Sequence, residues 1–284
     1  TATNLSAGVY SISITDANGC NSVDNVVVNE PSAIIAQASS QPASCFGSAT
    51  GSASVVVAGG SASYTYVWTP GNSTASSPNG LSAGNYSVVV TDANGCTTSA
   101  ATTVNQPTQL NINITPTAAL CNGSANGSAQ ANVSGGTAGY SYSWFPSGGG
   151  SSSALNLSAG TYTVEVTDAN GCTSSSTTNV TQPAAMSLAT SSTPAICGSA
   201  NGSTTVVASG GASPYTYSWS PTGGTNASAT NLTANSYTVI VTDANGCTSS
   251  TSESVSNTGG PTIATSLGAN VSCNGLNDGS ASVA

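Results

Sequence analysis

Lysine, arginine and histidine are absent from all 284 residues of this chain. Only nine residues carry charge at neutral pH, and all nine are acidic. Without histidine or lysine, most general bases and the commonest metal ligand are missing together. The many serines and threonines therefore have no partner to activate a nucleophile, and no catalytic residue, metal ligand or cofactor site is expected. A nucleic-acid partner would need basic side chains to neutralise phosphate. Anionic lipid headgroups would need the same. Lys–Asn cross-links, which stiffen some surface proteins, cannot form. No apolar run approaches the ~18 residues of a membrane-spanning helix, so direct membrane insertion is not expected either. No initiator methionine or signal peptide opens the sequence.

What is present argues against disorder. Net charge is only −9, and Val, Tyr and Trp recur at fixed places instead of being depleted. The eight cysteines include no Cys-x-x-Cys pair. That spacing, with no histidine, points to disulfides in place of zinc, and disulfides point to an oxidising, extracellular setting.

A repeat organises the chain. Thr-Asp-Ala-Asn-Gly-Cys occurs four times, with its aspartates at Asp16, Asp92, Asp168 and Asp243, in steps of 76, 76 and 75. Trp68, Trp144 and Trp219 keep the same steps, as do Leu5, Leu81, Leu157 and Leu232. Pro31, Pro107, Pro183 and Pro261 follow at 76, 76 and 78. A period of about 76 residues is long for a solenoid unit and enough for one small β-sandwich. The division expected is three full modules at 31–106, 107–182 and 183–260. Residues 1–30 match only the C-terminal part of a module and 261–284 only the N-terminal part, so the array is expected to continue in both directions.

Inside a module the pattern reads as strands only. In the second, Leu110 to Ile114 alternates apolar and polar, as a half-buried strand does. Ser128 to Val133 is stopped by Gly135-Gly136. Tyr140, Tyr142 and Trp144 stand at i, i+2 and i+4 and share one face. A Gly/Ser loop leads to a weaker strand near Leu155, then to Tyr162–Val166 and Thr173–Val180. Asp168 to Gly171 is a tight turn: the Asp side chain caps it, and Asn-Gly tolerates positive φ. The same turn-capping role is read for Asp16, Asp92 and Asp243, in preference to Ca²⁺, which needs six to eight oxygens. About seven short strands with a buried Trp on the third give the fold class: all-β, a tandem array of immunoglobulin-like sandwiches. Trp68, Trp144, Trp219, Tyr86, Tyr162 and Tyr237 are the expected core aromatics, with tyrosine hydroxyls reaching the rim. Glu165 is read as facing solvent.

A sandwich this small buries only about 60% of its unfolded surface, so a disulfide contributing ~2–4 kcal/mol matters. The candidates are Cys20, Cys45, Cys96, Cys121, Cys172, Cys197, Cys247 and Cys273. Three registers are open. The simplest pairs cysteines within a module: Cys45–Cys96, Cys121–Cys172 and Cys197–Cys247. The first-to-second and sixth-to-seventh loops of a seven-strand sandwich lie at opposite ends, however, which favours staples across junctions: Cys45–Cys172 and Cys121–Cys247. The third register is Cys96–Cys121 with Cys172–Cys197.

The pattern Cys-x-Gly … Asn-Gly-Ser-Ala … Gly-Gly … Tyr-x-Tyr-x-Trp … Leu-Ser-Ala-Gly-x-Tyr-x-Val-x-Val-Thr-Asp-Ala-Asn-Gly-Cys resembles the SprB-type repeat of giant cell-surface adhesins of gliding Bacteroidota. Residues 120–172 carry it best. The third module departs: Leu-Thr-Ala-Asn-Ser precedes Tyr237, and Gly-Ser-Ala follows Cys197 directly. The resemblance implies type IX secretion, display on the outer membrane surface, and partners in the secretion and gliding machinery elsewhere in the protein. It favours a non-enzymatic stalk whose immediate partners are other modules of the same chain. Two alternatives stand beside the stalk. In one, aromatic stripes and polar loops bind surface polysaccharide. In the other, sheet edges associate laterally into a filament or sheath.

Trypsin needs Lys or Arg, so prolonged digestion should leave the chain at full length on a gel. Selection for survival in a protease-rich exterior is the hypothesis behind this expectation, and discrete fragments would remove it.

Overall fold

A computed structural model describes residues 1–260, 265–266, 272, 277, 279–280 and 282–283, and every regular element in them is a β-strand. A hairpin of β1 (Gly8–Thr15) and β2 (Asn21–Val28) comes first. The first module is built from β3 (Ile35–Gln41), β4 (Gly51–Ala58), β5 (Thr65–Thr69), β6 (Asn79–Leu81), β7 (Gly84–Thr91) and β8 (Thr97–Val104). The second has β9 (Asn111–Thr117), β10 (Gly127–Ser134), β11 (Ser141–Phe145), β12 (Ser153–Leu157), β13 (Gly160–Thr167) and β14 (Thr173–Val180). The third has β15 (Ser187–Thr193), β16 (Ala195–Ile196), β17 (Gly202–Ser209), β18 (Thr216–Ser220), β19 (Ser228–Leu232), β20 (Asn235–Thr242), β21 (Thr248–Val255) and β22 (Asn257–Thr258). A short antiparallel pair follows, β23 (Thr265–Ser266) with β24 (Ser282–Val283).

The first module is two three-stranded antiparallel sheets, in the orders β3-β4-β6 and β5-β7-β8. The third repeats this as β15-β17-β19 and β18-β20-β21, and adds a parallel bridge of β16 to β22. In immunoglobulin terms these are strands A, B, E facing C, F, G. Each module thus has six main strands, one fewer than the sequence led us to expect. The missing one is strand D, between C and E. There the chain runs through Pro70 to Pro78, Pro146 to Ser152, or Pro221 to Ala227. Those Gly-, Ser- and Pro-rich loops have little preference for a pleated surface.

Alternation places the core. Along β7, Tyr86, Val88 and Val90 are buried while the residues between them are exposed. Trp68 of β5 sits opposite Val88 in the ladder, and Trp219 of β18 opposite Val239. Around Trp68 gather Ala53, Val55, Tyr86, Val88, Val90 and Val104. Around Trp219 gather Ala195, Val206, Ala229, Leu232, Tyr237, Val239, Val241 and Val255. The second module buries Trp144, Leu157, Tyr162, Val164, Val166 and Val180 at the corresponding positions. By compactness the chain falls into two units. One is Thr1–Asn113, Asn132–Ser143 and Val164–Ser176; the other is Ile114–Ala131, Trp144–Thr163 and Thr177–Ala284.

Each buried polar end in these cores has a fixed acceptor. The Trp68, Trp144 and Trp219 indoles donate to the carbonyls of Ala75, Ser151 and Asn226 at 2.9, 2.9 and 3.0 Å. Tyr86, Tyr162 and Tyr237 each donate to the carbonyl four residues earlier, at 3.0, 3.1 and 2.9 Å. Tyr64, Tyr140 and Tyr215 donate to Gly59, Gly135 and Gly210. Glu165 is exposed.

In the β1–β2 hairpin no second sheet covers the same positions among the described residues. Ile12 and Ile14 hold the places of Val88 and Val90, yet are 52% and 67% exposed where the valines are 0%.

The Asn-Gly-Ser signature has a packing cause. Gly202 opens β17, and a Cβ there would lie 2.6 Å from Val255 Cγ1 and 3.1 Å from the Leu232 carbonyl. Gly127 meets Val180 and Leu157 in the same way. Gly202→Ala should therefore overpack the third core and cost about 1–3 kcal/mol. Hydrogen exchange at the Val239 and Val241 amides measures it. Unchanged protection would mean the valine can move aside without penalty.

Candidate functional site

The site is the hairpin turn between strands F and G together with the loop that docks on it. The turn begins with an aspartate. Asp168 Oδ1 accepts the backbone N–H of Asn170 and of Cys172, both at 2.9 Å. Its Oδ2 accepts the N–H of Thr137 from a separate loop, at 2.9 Å. The main chain closes the turn with Asp168 N to Cys172 O at 2.9 Å and Gly171 N to Asp168 O at 3.0 Å. Asp92 does the same with Asn94, Cys96 and Ser61, and Asp243 with Asn245, Cys247 and Ala212. These aspartates are only 4–6% exposed.

Backbone bonds hold all three carboxyls below the ordinary carboxylate range. The largest cause is the N–H from the facing loop, of Ser61, Thr137 or Ala212, and burial opposes it. The facing loop is the Gly-Gly pair. Gly60, Gly136 and Gly211 have φ of +67°, +63° and +61°, and a Cβ on any of them would come within 2.9 Å of the aspartate Oδ2. Asp16 keeps its two turn bonds, to Asn18 and Cys20 at 2.9 Å. In the three complete turns both carboxylate oxygens are engaged by backbone N–H donors of the turn and the facing loop. No cluster of three metal-binding side chains occurs among the described residues.

The docking loop carries the other cysteine, between the first two strands of the preceding module. Ala43 N donates to Asn105 O at 2.8 Å, and Gly47 N donates to Gln106 Oε1 at 2.7 Å. The second loop is held alike, by Thr181 O at 2.8 Å and Gln182 Oε1 at 2.7 Å. The linker glutamine thus fixes the Cys45 and Cys121 loops, and Asn257 Oδ1 takes its place at the Cys197 loop, accepting the Gly198 N–H at 2.9 Å.

The structure joins Cys45 to Cys172 and Cys121 to Cys247, each with Cα atoms 5.7 Å apart. Beside each bond, the turn asparagine donates to the carbonyl preceding the loop cysteine. Asn170 Nδ2 reaches Ser44 O at 2.9 Å, and Asn245 Nδ2 reaches Leu120 O at 2.8 Å. Pairing within one module, the simplest reading of the spacing, does not occur, nor does the Cys96–Cys121 and Cys172–Cys197 register. The reason is β8. The Cys45 loop is anchored just beyond its last residue, Val104, whereas Cys96 precedes its first, Thr97. Eight extended residues separate the ends by about 25 Å, far beyond a disulfide's reach.

Cys20, Cys96 and Cys197 are exposed free thiols, and Cys273 lies outside the described residues. Cys197 differs in conformation. Its loop is one residue shorter, its φ is +54°, its thiol donates to Gly259 O at 2.6 Å, and the preceding carbonyl, of Ile196, is taken by Ser199 N at 3.1 Å. Glu253 was not singled out in the sequence. It accepts from Thr190 and then Ser192 at 2.6 and 2.9 Å, which lowers its pKa in that order of cause. No sequence signal marks it, because its partners lie about 60 residues away.

The class defined by these features is an all-β tandem array of immunoglobulin-like sandwiches joined by disulfides. The family model described as SprB repeat matches it three times, at residues 38–73, 113–149 and 189–230. Together these cover less than half of the chain, and no curated protein matches. Among solved structures, the chain is similar to the N-terminal eight Ig domains of the Down Syndrome Cell Adhesion Molecule. That match has 13% identity and a TM-score of 0.37 over 91% of this chain and 44% of that one. It is also similar to domains 1–6 of the surface layer protein SbsC, at 12% identity and a TM-score of 0.28 over 93% and 47%. The chain spans less than half the length of either.

Because Asp92, Asp168 and Asp243 titrate lower in the fold than in the unfolded chain, their stabilisation is complete above the unfolded value. It is lost as pH falls through the folded one. The melting temperature should hold level down to about pH 5 and drop below about pH 4. Changing all three to Asn should lower the melting temperature at neutral pH and flatten the acid limb, leaving the smaller slope of Glu253. An acid limb as steep as that of the parent would assign the transition to other groups.

Proposed function

We propose that the chain is a load-bearing stretch of a repeat-built cell-surface protein: the stalk of a secreted adhesin used in gliding motility and surface attachment. The single observation that carries this is the overlap of the two disulfides. One closes residues 45–172 and the other 121–247. The segment from 121 to 172 lies within both loops, so tension entering at either cysteine pair is carried by a sulfur bond before the modules must yield.

The SprB-repeat matches support placement on a cell surface, and structural disulfides are at home outside the cytoplasm. On this reading the segment works by connecting and spacing, with modules of its own chain as immediate partners. Attachment to an outer membrane, type IX export and coupling to a gliding motor belong to other parts of such a protein. Surface polysaccharide would be met by an adhesive region beyond the stalk. The tryptophans here are buried at 1%, 4% and 6% exposure, which suits a spacer better than a row of sugar-stacking rings.

Single-molecule stretching tests the proposal. Oxidised, the shortest covalent path from Cys45 to Cys247 crosses both disulfides and runs back along the 51 residues from Cys172 to Cys121, in place of the 202 residues of main chain between the two cysteines. Reduction should therefore lengthen the fully extended chain by about 520 Å and lower the force of the first unfolding events. Equal forces and equal extensions before and after reduction would contradict a load-bearing role for the staples.

A further inference from the structure

The first module carries the docking half of the stapled site with nothing on it among the described residues. Asp92 is bonded in the same pattern as Asp168 and Asp243. Asn94 Nδ2 donates to Ser61 Oγ at 2.7 Å, as Asn170 does to Thr137 Oγ1 at 2.9 Å. Asn170 spends its second N–H on Ser44 O; that of Asn94 has no acceptor among the described residues. Cys96 is an exposed thiol. Beside it runs a trough walled by Pro31, Ile34, Gly60, Asp92 and Thr97. The same trough recurs beside Cys172, where Cys45 and Phe46 line it, and beside Cys247, where Cys121 and Asn122 do. One receptor is thus built three times and filled twice, each time by a loop bringing one cysteine and one carbonyl.

We propose that the Asn94–Cys96 face docks the cysteine loop of a further repeat of this kind. The partner is a module whose Ala-x-Cys-x-Gly-Ser loop offers a thiol to Cys96 and the preceding carbonyl to Asn94. The Cys197 loop is not the model for it, because its preceding carbonyl is already bonded and its backbone is turned. Loops like those of Cys45 and Cys121 are. This assignment rests on the internal repetition of the site and stands whether or not the chain bears load.

Closure is a thiol–disulfide exchange with a small-molecule disulfide oxidant. The Cys96 thiolate attacks one oxidant sulfur and expels a thiolate. The loop thiolate then attacks Cys96 Sγ in the mixed disulfide and expels the second. Two electrons and two protons leave the cysteine pair and appear as the two thiols of the reduced oxidant.

The test extends the full chain. A copy of residues 107–152 placed directly ahead of Thr1 completes a repeat in register, because Leu157 and Leu5 are 152 residues apart and hold the same place. After refolding in oxidised and reduced glutathione, non-reducing peptide mapping should find Cys96 bonded to the copy of Cys121. Cys96 should also lose its alkylation by iodoacetamide, while changing the copied cysteine to Ser should restore it. A second prefix, residues 31–76, presents the Cys45 loop in the same register and should give the same bond. Cys96 left alkylatable with both prefixes, or bonded to Cys20, would overturn the proposal. The stretching result above depends on neither prefix, so the two ideas can fail separately.

Discussion

Everything distinctive in this structure depends on one carboxylate that accepts three backbone N–H groups. Two come from its own turn and one from a loop about thirty residues earlier in the chain. An uncharged side chain could close the turn but would hold the facing loop more weakly, since hydrogen bonds to an ion are roughly twice as strong as neutral ones. With the loop held, the turn has one shape, and its asparagine amide and cysteine sulfur project at fixed places. The Gly-Gly pair is the complement of this arrangement: any Cβ there would occupy the space of the carboxylate oxygen. In a chain with no basic side chain, main-chain amides take the role that Lys and Arg play elsewhere.

Much of the architecture was legible because the repeat compares the chain with itself. Alternation along Tyr162 to Val166 marked the inward face of β13, and three tryptophans at one step marked three cores. Strand D was misread as present because the module length suits seven strands. The loops from Pro70, Pro146 and Pro221 already argued otherwise. The disulfide register could not be settled by spacing, since 51, 25 and 127 residues are all ordinary separations. What decides it is the length of β8, a property of the folded strand. The asparagine bond to the carbonyl before the loop cysteine was invisible for a related reason. It joins residues 126 apart, and the acceptor is a carbonyl whose side chain is Ser in one copy and Leu in the other.

Small sandwiches are marginal because little surface is buried per residue. Here the aromatic set is modest, and each ring's polar end is tied to a main-chain carbonyl nearby. Stability within a module comes from this short-range bonding and a narrow valine core. Connection between modules comes from elsewhere: an asparagine of the turn and a sulfur pair, meeting a loop that a glutamine of its own module holds in place. The division explains why the third module can lose a residue after Cys197 without disturbing its core. The loop serves the neighbour, not the module that bears it.

Overlap of the two disulfide loops also bears on damage. A break in the main chain anywhere between Cys45 and Cys247 falls inside at least one covalent ring, so the two ends stay joined through sulfur. Two breaks, one in each outer portion, leave the ends joined as well, because each ring bridges its own gap. The chain therefore behaves like a laddered cord, in which losing any one segment between cysteines leaves the two ends joined.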